Sequence, residues 1–368
     1  MKKVFLFLSI LLFSIGHTQE SDIKVLTAKS EQGDAKAQFE LGILYYGGKG
    51  VEQSYSKATY WFEKAAKQGL VKAQYNLAIF YENGKGVEQS YSKAAYWFEK
   101  AAEQGLVQAQ CNLAICYEKG KGVEQSYSKA LYWYEKAAEQ GNVEAQFNLA
   151  LCYKNGEIVE QSYSKAAYWY EKAAEQGLFQ AQFNLALCYR NGEGVQQSYS
   201  KAAYWYEKAA EQGLPQAQNN LGDSYYNGRG IEQSYSKAAY WYEKAAEQGL
   251  SEAQNNLGAV YLEGKGVEQS YSMATYWLKK AAEQNNLLGQ ENLGIIYLEK
   301  QDYFKAIYWL RKAAERNSPK AQGVLGVCYY NGIGVAQSKE EGLYWLRKAC
   351  DNFSDEACNL LNELKNEQ

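Results

Sequence analysis

"KAAYWYEKAAEQG" stands at residues 165–177, again at 201–213 and again at 237–249, letter for letter. Its apolar positions decide how the chain folds. Ala166, Trp169, Tyr170, Ala173 and Ala174 fall at i, i+3, i+4, i+7 and i+8, which is one stripe of a helix; a half-buried strand would hide every second residue instead. Ser162 stands where a side-chain oxygen caps a first turn, and Gly177 where a left-handed residue closes a last one.

The copies begin 36 residues apart, and the frame extends in both directions. Units start at Ala37, Ala73, Ala109, Ala145, Ala181, Ala217, Ala253, Gly289 and Ala321, with a fragment from Ala357. The first seven are 36 residues long and the eighth is 32. All nine tryptophans obey the frame, one to a unit: Trp61, Trp97, Trp133, Trp169, Trp205, Trp241, Trp277, Trp309 and Trp345. The half of each unit that precedes the quoted stretch carries the same helical spacing, as in Ala145, Asn148, Leu149, Cys152 and Tyr153. Between the halves lies "KNGEIVEQ", whose counterparts read G-x-G-V, as in Gly84-Lys85-Gly86-Val87. Each unit is therefore helix, glycine turn, helix. One such pair cannot bury its stripe alone, so the units stack on one another and share a core. Each brings a tryptophan and further aromatic residues, and burying one large aromatic is worth about 1.5–3 kcal/mol.

The pattern A-x-x-x-L-[GA]-x-x-Y-x-x-G-x-G-V followed by K-A-x-x-W-[FY]-x-K-A-A-x-x-G resembles the Sel1-like repeat, a relative of the tetratricopeptide repeat. The second unit matches it in full at Ala73, Leu77, Ala78, Tyr81, Gly84, Gly86, Val87, Lys93, Ala94, Trp97, Lys100, Ala101, Ala102 and Gly105. The resemblance implies an all-α fold: an α-solenoid, coiled as a right-handed superhelix, of nine helix-turn-helix repeats over 37–356. A capping half-repeat is expected at 19–36 and a capping helix at 357–368. Departures from the pattern are Ile158 in place of a turn glycine, Met273 in place of a lysine, and "EKQDY" joining the helices of the eighth unit. In this family the first helices line the concave face, the role is that of adaptor or scaffold, and bacterial members with signal peptides act outside the cytoplasm.

Residues 1–18 have the layout of such a signal peptide: a basic start at Lys2 and Lys3, an apolar run from Val4 to Phe13, then small residues. The run is too short for a membrane span. Removing those two lysines takes the formal charge from −3 to −5. The expected protein is periplasmic or secreted, does not insert in membranes, and has no electrostatic attraction to nucleic acid.

Positions that differ while their neighbours are copied verbatim are candidates for ligand contact. Phe147, Leu151 and Lys154 lie at i, i+4 and i+7 beside the apolar stripe of a first helix. Their counterparts and neighbours on the expected concave groove are Phe39, Ile43, Tyr46, Tyr75, Ile79, Cys111, Ile115, Phe183, Leu187 and Arg190. The leading position changes in the later units to Asn219, Asn255, Glu291 and Gly323, and the next to Asp223, Ala259, Ile295 and Val327. The groove is expected to be apolar and aromatic in its first half and more polar later. It would hold an extended or helical peptide segment of a partner protein. The same side chains could instead complete the packing between helices.

Asn76, Asn112, Asn148, Asn184, Asn220, Asn256 and Asn292 recur before the family leucine and are expected to form a structural ladder on the buried stripe. Tyr60, Tyr96, Tyr132, Tyr168, Tyr204, Tyr240, Tyr276, Tyr308 and Tyr344 precede the tryptophans; an outer row of them is the basis of an alternative reading as a glycan or cell-wall binder.

Chemistry has little to work with. His17 is the sole histidine, which removes histidine-dependent triads and nearly all histidine metal sites. Ser54-Tyr55-Ser56-Lys57 spells S-x-x-K, the nucleophile motif of penicillin-recognising enzymes, and recurs at Ser90, Ser126, Ser162, Ser198 and Ser234; S-D-N and K-T-G, which those enzymes also need, do not occur. A β-lactam-directed activity survives only by analogy with a cysteine-rich branch of the family. No catalytic residue, cofactor or metal is expected. Cys350 and Cys358 resemble the helix-bridging disulfide of that branch. Cys116, Cys152, Cys188 and Cys328 share one core position, and Cys111 falls on the groove.

Overall fold

The computed structural model describes residues 20–366. The signal peptide expected over 1–18, with His17, lies outside the described residues. Among them the regular structure is wholly helical, with twenty helices and no strand. The chain divides into two compact units, one of residues up to 181 with 193–195, the other of 182–192 with 196 onward.

The first unit begins with α1 (Glu20–Glu31). It continues with four hairpins: α2 (Ala35–Gly47) with α3 (Tyr55–Lys67), α4 (Val71–Asn83) with α5 (Tyr91–Glu103), α6 (Val107–Lys119) with α7 (Tyr127–Glu139), and α8 (Val143–Asn155) with α9 (Tyr163–Glu175). The second holds most of α10 (Phe179–Asn191) and α11 (Tyr199–Glu211). Four more hairpins follow: α12 (Pro215–Asn227) with α13 (Tyr235–Glu247), α14 (Ser251–Glu263) with α15 (Tyr271–Glu283), α16 (Leu287–Glu299) with α17 (Tyr303–Glu315), and α18 (Pro319–Asn331) with α19 (Lys339–Asp351). The closing helix is α20 (Asp355–Asn366).

The hairpin of α4 and α5 shows why these residues fold so. Gly84, at φ 66°, ends α4, and its N–H reaches back to the Phe80 carbonyl. Ser90 then turns the chain into α5, its hydroxyl accepting from the Lys93 N–H at 3.4 Å. Ala73, Leu77 and Phe80 from one helix and Ala94, Phe98 and Ala101 from the other close the core between them. Small residues set the spacing. A Cβ added at Gly42 would stand 2.7 Å from the Phe62 ring, so the glycine lets the two helices approach there.

The aromatic that fills the centre is not the tryptophan. Phe62, Phe98, Tyr134 and Tyr170, each directly following a tryptophan, are fully buried, whereas Trp97, Trp133 and Trp169 are half-buried. Those three tryptophans close the edge of the stripe, whereas Trp61, Trp277, Trp309 and Trp345 are themselves buried.

Successive hairpins meet at the second glycine of the turn. Gly122, at φ 74°, rests against α5; a Cβ there would lie 2.1 Å from the Tyr91 carbonyl oxygen. In the fourth hairpin this position is Ile158, which is not among the positive-φ residues, so that turn follows a different path. The eighth pair is joined by three residues, 300–302, with Gln301 at φ 60° and Asp302 capping α17 by accepting from the Lys305 N–H.

Candidate functional site: the first-helix face

The structure separates the expected groove residues by depth. In the first unit Phe39, Ile43, Tyr75, Ile79 and Cys111 are buried. Phe39 packs on Phe62 with ring centroids 5.6 Å apart, and Tyr75 on Phe98 at 5.8 Å, each across its own hairpin. Tyr46 is half-buried in a cluster with Tyr55 and Phe80, at 5.6 and 5.7 Å. Ile115, Phe147, Leu151 and Lys154 are half-buried and reach the surface, although Phe147 also touches Tyr170, centroids 5.9 Å apart. In the second unit Phe183 and Leu187 are half-buried and Arg190 is exposed.

The polar residues of the later face are tied into hydrogen bonds: Ser318 donates its hydroxyl to Glu291 Oε2 at 2.6 Å, and a denser set surrounds Asp223. Tyr242 donates its hydroxyl to Asp223 Oδ1 at 2.7 Å, and Asn256 Nδ2 donates to Asn219 Oδ1 at 3.1 Å and to Asp223 at 3.4 Å. Burial raises the Asp223 carboxyl above its ordinary range, against the lowering effects of the Tyr242 hydrogen bond and of the Arg190 and Arg229 charges. Further along, the face turns apolar again at Ala259, Ile295 and Val327, all half-buried.

Two amide systems link neighbouring hairpins. The asparagine ladder has rungs at Asn112, Asn256 and Asn292, each from the asparagine to the leading residue of the preceding hairpin. Asn112 Nδ2 donates to the Tyr75 hydroxyl at 3.3 Å and Asn292 Nδ2 to Asn255 Oδ1 at 3.0 Å. Apart from Asn76 these asparagines are half-buried, which corrects their placement on the buried stripe. The ladder that lies inside is one that sequence reasoning missed. Gln74 is buried, donates to the Ala66 carbonyl and accepts from Gln104 Nε2 at 2.8 Å. Gln110 repeats this with Ala102 and Gln140, and Gln254 with Ala246 and Gln284. The signal was the glutamine that follows the first residue of all nine units.

Both members of the S-x-x-K motif are engaged in structure. The serines cap the second helices, and the lysines lie over the family tyrosine: Lys93 Nζ is 5.2 Å from the centroid of Tyr81 and Lys165 Nζ 4.9 Å from that of Tyr153. On the outer side the tyrosine before each tryptophan stands edge-on to it, as Tyr60 does to Trp61 at 4.9 Å, and about half of its surface is exposed.

Cys350 and Cys358 are bonded, joining α19 to α20. The other five cysteines are buried, and burial pushes the Cys116 and Cys152 thiols up to about 12, which leaves them without thiolate nucleophilicity at neutral pH. Among the described residues no group of three or more His, Cys, Asp or Glu could hold a metal ion, and no helix is long and apolar enough to cross a membrane.

With this geometry in place, comparisons with known proteins agree on the repeat. A family model described as "Sel1 repeat" matches nine successive segments: 35–70, 71–106, 107–142, 143–178, 179–214, 215–250, 251–286, 287–318 and 319–352. A protective antigen of uropathogenic Escherichia coli with an SLR fold is similar at 35% identity and a TM-score of 0.67, over 93% of this chain and 82% of that one. A Sel1 repeat protein from Oxalobacter formigenes is similar at 32% identity and a TM-score of 0.57, over 97% and 93%. Among curated proteins none matches.

Proposed function

Because the chain belongs to the Sel1 repeat family, we propose that it is a non-catalytic scaffold acting outside the cytoplasm, and that it holds a peptide segment of a partner protein against the first-helix face of its first unit. The observation behind this reading is the pairing of half-buried Ile115, Phe147 and Leu151 with half-buried Asn112 and Asn148 on the neighbouring helices α6 and α8. Apolar anchors supply affinity, and a carboxamide offers a donor and an acceptor to a peptide main chain. Buried Phe39, Tyr75 and Cys111 are left to the core, and Lys154 borders the anchors. Compartment is inferred from the Cys350–Cys358 bond together with the signal peptide expected from the sequence.

A photo-crosslinking residue placed at 151 in the native envelope should yield a defined protein adduct, lost when Phe147 is replaced by serine or Ile115 by glutamate in the same folded chain. Adducts of equal yield from position 168, on the second-helix side, would remove the reason for choosing this face.

A further inference from the structure

We propose that a cleft between α17 and α19, in the second unit, binds a neutral pyranose sugar. The cleft has a volume of about 500 Å³ and is lined by Glu315 from α17 and by Glu341, Tyr344, Trp345 and Lys348 from α19. That volume lies in the range of small-molecule sites.

What makes the cleft particular is one exchange. The position held by Glu341 is a lysine in most of the other units, among them Lys93, Lys129, Lys165 and Lys305, and Met273 in another. Those lysines lie over a first-helix tyrosine. In the last hairpin the matching tyrosine, Tyr329, is engaged instead by the Arg311 guanidinium, which donates to its hydroxyl, so packing does not require a lysine at 341. Glu341 turns outward in chemistry instead. Its Oε1 accepts from the Trp345 indole N–H at 3.1 Å, a hydrogen bond that holds the carboxylate beside the ring. Tyr344 stands edge-on to Trp345 at 5.3 Å with 45% of its surface exposed, and Lys348 Nζ lies 4.9 and 5.2 Å from the centroids of the two rings.

Each group answers a property of a sugar. A pyranose with equatorial hydroxyls has a C–H face that packs on an aromatic ring. Its hydroxyls both donate and accept, so they need acceptors and donors within one small volume. Glu315 and Glu341 provide the acceptors; the Lys348 ammonium and the Tyr344 phenol provide the donors. The rival occupant is an arginine side chain of a peptide, drawn by the carboxylates. Lys348 already sits at both rings and would repel a second cation there, which favours the neutral ligand. The inference does not rest on the first-helix face and stands or falls separately from it.

The test uses the full chain labelled with nitrogen-15, cellotetraose as the sugar probe and acetyl-arginine amide as the cationic one. The Trp345 indole N–H resonance is assigned by its loss in Trp345→Phe. It should move saturably with cellotetraose, at a dissociation constant of about 1 mM. Tyr344→Ala should weaken binding about fivefold, and Glu315→Gln should weaken it as well; both side chains lie at the surface, and the unchanged resonances of the other tryptophans verify folding. A Trp345 signal that stays still up to about 10 mM sugar, one that answers only acetyl-arginine amide, or tryptophan signals that all shift alike would each overturn the proposal.

Discussion

At the scale of single residues, the asparagine ladder sorts good positions from bad. Where the leading residue of the hairpin before it is Tyr75, Asn219 or Asn255, the asparagine forms a hydrogen bond to it. Asn76 looks to Phe39. It is 0% exposed, and both polar atoms of its side chain lack a partner. A buried unsatisfied amide costs about 1–3 kcal/mol, so Asn76→Leu should raise the unfolding free energy by about that much. Asn112→Leu strips the Tyr75 hydroxyl of its donor and should lower it. Urea titration of both variants decides, and a less stable Asn76→Leu sinks the account. Asp223 gives a pH-dependent counterpart. Its folded-state pKa is raised by burial, so its ionisation is harder in the folded chain than in the unfolded one. The stability it supports is complete below the unfolded value of about 4 and is lost as pH rises through the folded value. Asp223→Asn keeps an acceptor for Tyr242 and should raise Tm at neutral pH, with the advantage fading in acid. An equal advantage at every pH would mean that the carboxyl charge is not the cause.

At the scale of the helix pair, the period of the sequence made the element boundaries legible, because serine caps, turn glycines and the apolar stripe recur together. Depth was not legible in the same way. Phe39 and Phe147 occupy the same place in the repeat, yet one is buried and the other half-buried; the difference comes from neighbours that a local pattern does not contain. For the same reason the period could not say which of two recurring amides faces inward, and the glutamines rather than the asparagines proved to be buried. The glycine turn was readable as a turn, but its second glycine has a further duty that only packing reveals: it brings the backbone against the preceding hairpin. Gly122→Ala must move the Tyr91 carbonyl and hold an alanine at φ 74°, and it should cost about 1–3 kcal/mol. Ile158→Gly, at the matching place, should be neutral or stabilising. Paired thermal melts distinguish this from simple intolerance of the loop, which would make both changes harmful.

At the scale of the whole molecule, each inner repeat of a stack is built to be covered on both sides. α20 covers one side of the last hairpin described. Ala357 and Leu361 face inward onto Leu346 and Ala349, whereas Asn359, Asn362 and Glu363 are exposed. Asn362 stands where first helices elsewhere have glycine or alanine, as at Gly326. The helix is short and packs on α19, and the Cys350–Cys358 bond, between residues 8 apart, ties the two together. Closing so small a loop is worth about 2–3 kcal/mol on the chain-entropy view. Denatured without reductant, the protein should show five free thiols, the number not engaged in the bond. Because stability in a stack is carried between neighbours, Cys350→Ser with Cys358→Ser should speed amide exchange over 355–366 and in α19, while α13 and α14 keep their protection. Hydrogen exchange read by mass spectrometry resolves these segments. Acceleration spread evenly over the second unit would show instead that the bond supports the unit as a whole and not α20 alone.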